Sequence, residues 1–318
     1  MNDTKKLTTA SMMSSLFVVC TIVLVSTGIG YALYLDFIVP VFFTIICLKC
    51  DLKYTTLSGI TSLIIVGLVL GNIGTAIWAS QSVALGILCG VLLNKDTTMM
   101  DDLVYGSIIS VLLMVLIDIY ASNLIGYSFM KEFQGYMKYL KNKDIANTIY
   151  YMFIALFPFG TMFSIYFLAL MFANKLNVLS GNSKKKFNII RNFRNYSRFI
   201  SCSKNVFYGC CVYFVIAQAF KFMNIEIHNV YLKTIFRSIK YLCAYFIIRD
   251  GYTIIQNYIM SKYKKVSYAR YLTLITILSL VLIFNITTLV IIIFNIVLDK
   301  KISIRLQQID IVNRLVSQ

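Results

Sequence analysis

The sequence predicts an all-α protein, a polytopic transmembrane helix bundle of about eight to ten membrane segments. Hydrophobic residues make up 59% of the 318 residues, and the mean hydropathy is +0.77. Charged residues make up only 14%, whereas soluble domains contain about 25%. Runs of about 20 apolar residues match the hydrocarbon thickness of a bilayer. Such runs become helices, because lipid offers no partner to an unpaired backbone group.

Nine apolar runs are separated by short connections that are rich in Lys and Arg. Asn285–Thr288 interrupts the last run. We therefore expect two short helices there, which would return the chain to the side from which it came; a single span is the alternative. The runs are residues 8–32, 37–48, 54–71, 73–93, 103–122, 149–173, 206–223, 235–259 and 271–298.

The basic residues predict the orientation in the membrane, because cytoplasmic loops carry an excess of Lys and Arg. The N-terminus, the connection 49–53, and the acid-free stretches 174–205 and 262–270 are all basic or carry basic clusters. Alternating the sides of successive segments places these four stretches together in the cytoplasm. The N-terminus is therefore predicted to be cytoplasmic. With the terminal hairpin, the tail after Leu298 is cytoplasmic as well.

Two connections have the pattern of amphipathic helices lying at the membrane surface. Residues 124–148 place Phe129, Phe133 and Tyr136 at helical spacing, apart from the lysines. Residues 187–200 alternate apolar side chains with arginines in the same way. The second helix would lie on anionic lipid at the cytoplasmic face or dock a cytoplasmic protein.

Two GxxxG patterns on neighbouring segments are candidates for close helix packing. Glycines four residues apart leave a flat strip on which another helix can approach. The strip would serve packing within the bundle or an interface with another subunit. The four glycines are Gly67, Gly71, Gly86 and Gly90.

Ionisable residues inside apolar segments are candidates for a solute site, because a charge at that depth needs a partner or water. Asp118 lies in the fifth segment, and Arg249 and Asp250 are adjacent in the eighth. Neighbouring helical residues point about 100° apart, so Arg249 and Asp250 each need a separate partner. Arg237 or Lys240 would suit Asp118. A buried structural ion pair, a site for a small anionic or zwitterionic solute, and snorkelling to the interface all remain open.

Trp78 and Gln81 lie about one turn apart in the outer half of the fourth segment. Together they would line a cavity open to the outside. Trp is also common at membrane interfaces as an anchor alone.

Catalytic and metal-binding signatures are weak. Cys47 and Cys50 have CxxC spacing, but a structural zinc site needs four ligands, and the single histidine, His228, is far away in sequence. The eight cysteines suit packing as small hydrophobic residues. There is no P-loop, HExxH or nucleophile elbow. We therefore expect no enzymatic activity, no ATP hydrolysis, no cofactor and no metal.

The first six segments resemble a substrate-binding S component of an energy-coupling-factor (ECF) transporter. The opening residues, 5–14, have a basic pair followed by small residues four apart. Ala10 and Ser14 stand where that family has Ala-x-x-x-Ala, which implies contact with a transmembrane coupling subunit. Over its whole length the chain resembles the YybS-like family of uncharacterised Firmicutes membrane proteins, including the basic stretch at 298–305. These resemblances imply a bacterial cytoplasmic membrane protein.

Four regions are predicted. Residues 1–174 form the S-component-like six-helix bundle, 175–205 a basic amphipathic connection, 206–300 further membrane helices, and 301–318 a basic cytoplasmic tail.

The function we expect is binding or transport of a small solute, with a coupling subunit and an ATPase as possible partners. The alternative is a membrane-anchored structural or interaction scaffold that uses its basic cytoplasmic face. Despite a net charge of +17, we expect no nucleic-acid partner, because the basic loops already serve topology and anionic lipid.

Overall fold

The computed structural model describes residues 2–28, 33–139, 141–197, 199–223 and 227–317. Nearly all of these residues are helical, and none of them lies in a strand. The all-helical fold predicted from composition is therefore confirmed. The chain divides into two compact units. Unit 1 comprises Met1–Thr97 and Tyr105–Phe187, and unit 2 comprises Thr98–Val104 and Asn188–Gln318.

Unit 1 contains the long helices of the N-terminal half. The helix α4 begins in unit 2 and continues in unit 1, and α7 ends in unit 2. A π-helical turn at Tyr34–Ile38 leads directly into α2. The helices are α1 (Asp3–Thr27), α2 (Val39–Leu70), α3 (Ile73–Asn94), α4 (Met99–Ile125), α5 (Phe129–Met137), α6 (Lys143–Lys175) and α7 (Gly181–Arg191).

The long helix α2 is broken in the middle, at Asp51. The backbone there has φ 66° and ψ 166°, which is outside the helical region. The break falls in the basic connection that the sequence placed between the runs 37–48 and 54–71. Lys6 of α1 forms an ion pair with Asp51. The two predicted short segments are thus the two halves of one kinked element.

Asparagine or serine side chains cap the N-termini of several of the later helices. Asn142 Oδ1 accepts hydrogen bonds from the backbone N–H groups of Asp144 and Ile145 at the start of α6. Asn72 and Ser128 cap α3 and α5 in the same way. These side chains satisfy N–H groups that have no partner within the helix.

The core of unit 1 is formed where α1, α2 and α3 pack together. Phe17 of α1 meets Phe43 of α2 edge to face, with ring centroids 5.2 Å apart. Both rings are buried, as are Ala10 and Val83 in the same cluster. Helix α6 packs against α2 and α3, and α5 packs along α6.

Unit 2 is organised around its longest helix, α10. Helices α9, α11, α12 and α13 each pack against α10. The unit contains α8 (Phe193–Tyr196), α9 (Lys204–Phe222), α10 (Val230–Tyr263), α11 (Val266–Leu282), α12 (Phe284–Ile302) and α13 (Ile304–Ser317).

The predicted last apolar run, 271–298, forms two helices rather than one. The break lies at Ile283, with φ −142° and ψ 63°, and α11 and α12 pack against each other. The break comes two residues before the predicted turn at Asn285–Thr288. Thr287 and Thr288 donate to the carbonyls of Ile283 and Phe284, so the polar run begins α12 instead of forming the turn.

Five of the described helices are long and apolar enough to cross a membrane by length and composition. They are α1, α3, α4, α6 and α9.

Candidate functional site

A cavity of about 360 Å³ lies within unit 1. Its volume is at the lower end of the range for small-molecule sites, about 300–1,000 Å³. The π-helical turn, α2, α3, α4, α5 and α6 all contribute to its wall. The lining residues are Leu35, Asp36, Pro40, Trp78, Gln81, Ser82, Leu85, Met114, Asp118, Tyr127, Phe129, Phe157 and Thr161.

The cavity has a buried inner part and an open edge. Ser82, Leu85 and Met114 are buried in its inner part, and Asp118 is only 2% exposed. Asp36 and Tyr127 are exposed and mark the open edge. Trp78 and Gln81, which the sequence analysis paired, therefore line the same space as Asp118, which it singled out separately.

Asp118 is held by the start of α5. Its Oδ2 accepts a hydrogen bond from Ser128 Oγ at 2.7 Å, and its Oδ1 accepts one from the Met130 N–H at 3.3 Å. Because these groups belong to the N-terminal turn of α5, the carboxylate also lies at the positive end of a helix. These partners replace the Arg237 or Lys240 that the sequence suggested.

Lys240 has a different environment from the one predicted. Its ammonium donates to Gln218 Oε1 at 2.8 Å and lies 3.5 Å from Asn285 Oδ1. It also lies 5.5 Å from the centre of the Phe214 ring. Neutral amide oxygens and an aromatic face therefore surround this charge within unit 2. The spacing of charges along the sequence could not distinguish these neutral acceptors from a carboxylate.

Several polar groups of the cavity wall lack protein partners. Within the described part of the chain, the structure gives no hydrogen-bond partner to the side chains of Trp78, Gln81 or Ser82. Thr161, by contrast, donates to the Pro158 carbonyl at 3.0 Å. An amide and a hydroxyl facing a cavity can donate to and accept from a bound molecule. The wall thus offers free hydrogen-bonding capacity among apolar side chains.

Aromatic rings form much of the remaining wall. Trp78 meets Tyr127 edge to face with centroids 6.4 Å apart, and Phe129 lies 6.1 Å from Phe157. Outside the cavity, Phe133 stacks on Phe153 at 4.1 Å and holds α5 against α6. The sequence predicted the amphipathic helix that carries Phe129, but not that this residue would line the cavity.

Tyr127 is oriented by an acidic neighbour. Its hydroxyl donates to Glu132 Oε2 at 2.6 Å. That carboxylate raises the pKa of Tyr127, because ionising the phenol would remove the donor and bring two negative charges together. The ring therefore stays neutral at the edge of the cavity.

Arg249 and Asp250 lie in unit 2 and are not among the residues that line the cavity of unit 1. Arg249 Nη1 donates to the Ile200 carbonyl at 2.8 Å. Asp250 is fully buried; its Oδ1 accepts from the Cys202 N–H at 2.7 Å, and Arg305 Nη2 lies 2.9 Å from its Oδ2. The two adjacent residues thus have separate partners, as their angular separation predicted.

Arg305 belongs to the stretch that the sequence predicts as a basic cytoplasmic tail, and its side chain is buried within unit 2. Its side chain is 1% exposed. It donates to the Cys202 carbonyl and to Asn295 Oδ1, both at 3.0 Å, and lies 4.2 Å from the Phe207 ring centre. The charge is buried because Asp250, far away in sequence, supplies its counter-ion.

Lys186 lies in the predicted basic connection 175–205, and it is a second basic residue whose side chain is buried. It is buried, and its ammonium donates to the carbonyls of Leu92 and Lys95, both at 2.8 Å. A cation at this position satisfies the free carbonyls at the end of α3. Lys184, Lys185, Arg191 and Arg194 are exposed.

The glycine pairs have different roles. A Cβ at Gly86 would lie 2.4 Å from the Pro40 carbonyl oxygen, and one at Gly90 would lie 2.5 Å from Cys47 Cβ. This pair therefore permits close packing of α3 on α2. Gly71 instead ends α2 with φ 61° and open space around it, and Gly67 has only an ordinary contact with Ala76. At Gly71 the predicted strip thus makes no close helix contact within unit 1, and the positive φ there favours a glycine.

Ala10 and Ser14, the small residues predicted to contact a coupling subunit, differ in their accessibility. Ala10 is completely buried in the core of unit 1, so it is unavailable to another subunit. Ser14 is partly exposed, and its hydroxyl donates to the Ser11 carbonyl at 3.1 Å. The small residue at position 10 serves packing of α1 within its own unit.

Metal-binding capacity is limited in the part of the chain that the structure describes, where no group of three His, Cys, Asp or Glu residues could hold an ion. The eight cysteines are free thiols, and seven of them are buried.

Residues 12–152 match the model of a family described as "Predicted membrane protein (DUF2232)". The match covers less than half of the chain, from α1 into α6, and includes Trp78, Gln81 and Asp118. Comparison with curated proteins and with solved structures gives no match. The family description agrees with the five apolar helices. The chain is an integral membrane protein with several candidate spans.

Proposed function

We propose that unit 1 binds a small solute in the cavity between α3, α4, α5 and α6, and serves as the binding module of a transport system. The observation that carries this proposal is the cavity wall, where Trp78, Gln81 and Ser82, whose side chains have no hydrogen-bond partner among the described residues, face the same space as Asp118. Polar groups in membrane proteins are costly unless they have a partner or water. A bound solute supplies that partner.

The shape and lining of the cavity are typical of a ligand-binding site rather than of a packing defect. Small-molecule sites are concave and mostly apolar, with a few polar groups that orient the ligand. Here Leu35, Leu85 and Met114 provide apolar surface, while Gln81 and Asp118 provide polar atoms. The positive-inside rule places the ends of α3 and α4 that bear these residues toward the outside. The solute would enter from there.

The energy for transport would come from other proteins. The sequence has no P-loop, so a separate ATPase and a transmembrane coupling subunit would be needed, as the resemblance to ECF S components implies. Because Ala10 is buried, we place the contact with such a subunit on the exposed face of α1. Ser11 and Ser15 are small and exposed on that face, which allows close approach of another helix.

The test of solute binding is ligand-dependent thermal stabilisation of the full-length protein, purified in a neutral maltoside detergent and screened against a solute library. A ligand that binds only the folded state raises its melting temperature. Gln81→Leu should fold normally, because the Gln81 amide forms no hydrogen bond with any residue that the structure describes, yet it should lose most of this stabilisation. Gln134→Leu is the matched control, since Gln134 is exposed on α5. Equal stabilisation of Gln81→Leu and the native protein would argue against this site.

A scaffold remains the second candidate, supported by the exposed basic residues Lys184, Lys185, Arg191 and Arg194. Such a face would bind anionic lipid or a cytoplasmic protein. A scaffold would gain no stability from any solute in the library. It would also bind anionic vesicles less tightly when Lys184 and Lys185 are both changed to Gln.

A further inference from the structure

The charges around the cavity restrict which solutes can enter it. Asp36 and Asp118 both line the wall, and among the described lining residues there is no Lys, Arg or His. An anionic solute would therefore approach two carboxylates without a compensating cation. Like charges at close range are unfavourable, and more so where water is partly excluded. The anionic solute considered from the sequence is disfavoured by this arrangement.

The surroundings of Asp118 leave its charge only partly compensated. Its carboxylate accepts one hydrogen bond at each oxygen, from Ser128 and from the Met130 N–H. An ionised carboxylate can accept about four. Lys131, also on α5, directs its ammonium to Ser122 Oγ at 3.3 Å. A cationic group in the cavity would therefore complete the environment of a nearly buried negative charge.

Asp36 contributes a second carboxylate to the cavity wall. Within the described residues, the structure gives its carboxylate no hydrogen-bond or ion-pair partner. It lies on the π-helical turn, at the open edge of the cavity. A carboxylate at the entrance attracts cations and repels anions before they reach the inner wall.

The aromatic side chains suit the same kind of solute. Trp78, Tyr127, Phe129 and Phe157 all line the cavity. The face of an aromatic ring carries partial negative charge, and it attracts organic cations within about 6 Å. The rings also accept the apolar body of a ligand. Carboxylates and aromatic rings together recognise an amphipathic amine.

We infer that the ligand of unit 1 is a small organic cation: a protonated or quaternary amine that carries an apolar, ring-bearing body. The amine would lie between Asp118 and the aromatic wall, and Gln81 and Ser82 would bind polar atoms of the body. This inference rests on the proposed function and specifies its substrate class.

The test uses matched probes that differ mainly in charge: 2-phenylethylamine, 2-phenylethanol and 3-phenylpropionate, with benzyltrimethylammonium as a cation whose charge is independent of pH. Binding to the full-length protein in neutral detergent is measured by thermal melting and calorimetry. We expect the two cations to bind at least about tenfold more tightly than the alcohol. The carboxylate should give no stabilisation.

Asp36→Asn is the decisive variant, because it removes a charge without removing a hydrogen bond within the protein. Its cation-over-alcohol preference should fall several-fold, whereas Asp144→Asn, which changes an exposed carboxylate at the start of α6, should retain the native preference. Asp118→Asn should also reduce the preference. For Asp118→Asn we use the ratio of cation affinity to alcohol affinity. This ratio is needed because the change also alters the hydrogen bonds from Ser128 and the Met130 N–H.

Failure of the cationic ligand class can be distinguished from failure of the proposed binding function. Equal or tighter binding of the alcohol or the carboxylate, or native preference in both Asp36→Asn and Asp118→Asn, overturns the cationic class while the proposed binding function stands. The same holds if all four probes fail but an uncharged or anionic solute stabilises the protein in a Gln81-dependent way. If no solute of any charge stabilises it, the proposed function fails, and this inference fails with it.

Discussion

At the scale of single residues, the ion pair between Asp250 and Arg305 shows how a buried charge is tolerated. The two side chains are 0% and 1% exposed. Cys202 contributes both a backbone N–H to Asp250 and a carbonyl to Arg305. Each charge therefore depends on the other for compensation. Removing one partner of such a pair is more costly than removing both, because an uncompensated charge remains buried.

A double-mutant cycle should reveal this dependence. We expect Asp250→Asn and Arg305→Gln each to destabilise the protein by about 3–5 kcal/mol. The double variant should lose much less than the sum of the two, because neither charge remains. Detergent melting curves of the full-length protein measure all three variants.

The control for this cycle is Lys301→Gln, which removes an exposed positive charge nearby in sequence and should change stability by less than about 0.5 kcal/mol. Strictly additive effects of Asp250→Asn and Arg305→Gln would contradict the coupling.

The sequence could identify some residues of the candidate site but not their surroundings. Trp78, Gln81 and Asp118 stand out because polar side chains interrupt apolar helices, where their cost is evident. Arg305 and Lys186 lie among other basic residues, so nothing in their local sequence indicates burial. Their partners, Asp250 and the end of α3, come from distant parts of the chain. Only the fold brings them together.

At the scale of helices, Gly86 and Gly90 determine how closely α3 approaches α2. A methyl group at Gly86 would meet the backbone of Pro40, with its carbonyl oxygen at 2.4 Å and Cα at 2.9 Å. Backbone atoms cannot move aside as a flexible side chain does. The interface must therefore open if either glycine acquires a side chain.

We expect Gly86→Ala to destabilise unit 1 by about 1–3 kcal/mol through overpacking. Gly160→Ala is the matched control, because Gly160 lies within α6 and a methyl group added there would have nothing within 4 Å. That change should be neutral or stabilising by up to about 1 kcal/mol, since alanine favours a helix. Melting temperatures in detergent compare the two variants. Equal losses at positions 86 and 160 would mean that close packing of α3 on α2 is not responsible.

Helix boundaries were predictable where a local signal exists. Asn72, Ser128 and Asn142 stand at helix starts, and their side chains accept backbone hydrogen bonds there. The break between α11 and α12 is predicted from the polar residues 285–288 but lies at Ile283. Threonine hydroxyls can bond to the carbonyl four residues earlier within a helix. Thr287 and Thr288 do so, and polarity alone therefore misplaces the turn.

At the scale of the whole molecule, hydropathy and charge predict the solvent and the sidedness, because both are averages over many residues. The division into units is not such an average. Residues 98–104 include the first turns of α4 yet belong to unit 2, whereas the rest of α4 belongs to unit 1. Asp101 accepts a hydrogen bond from the Ser203 N–H at 2.8 Å within unit 2. No periodicity in the sequence indicates that residues 98–104 belong to unit 2. The boundary predicted near residue 174 therefore assigns them to the N-terminal half.

The orientation predicted by the basic loops can be measured on the full-length protein in intact cells with a membrane-impermeant maleimide. Single cysteines are introduced at exposed positions: Tyr139, His228, Lys265 and Lys301. Tyr139→Cys and His228→Cys should be labelled from outside. Lys265→Cys and Lys301→Cys should be labelled only after the membrane is permeabilised, because the predicted orientation has α11 and α12 return the chain to the cytoplasm. The native protein is the background control, since seven of its eight cysteines are buried.

The comparison between Lys265→Cys and Lys301→Cys decides how α11 and α12 are inserted. If they form a hairpin, the two positions lie on the same side and behave alike. Each helix has fewer than about 20 residues, so the hairpin need not expose its turn at Ile283 to the opposite side. External labelling of Lys301→Cys, with Lys265→Cys still protected, would mean that the two helices cross the membrane in series. The buried pair of Arg305 and Asp250 would then have to lie near the outer side, where the excess of basic residues no longer explains the orientation of the C-terminal helices.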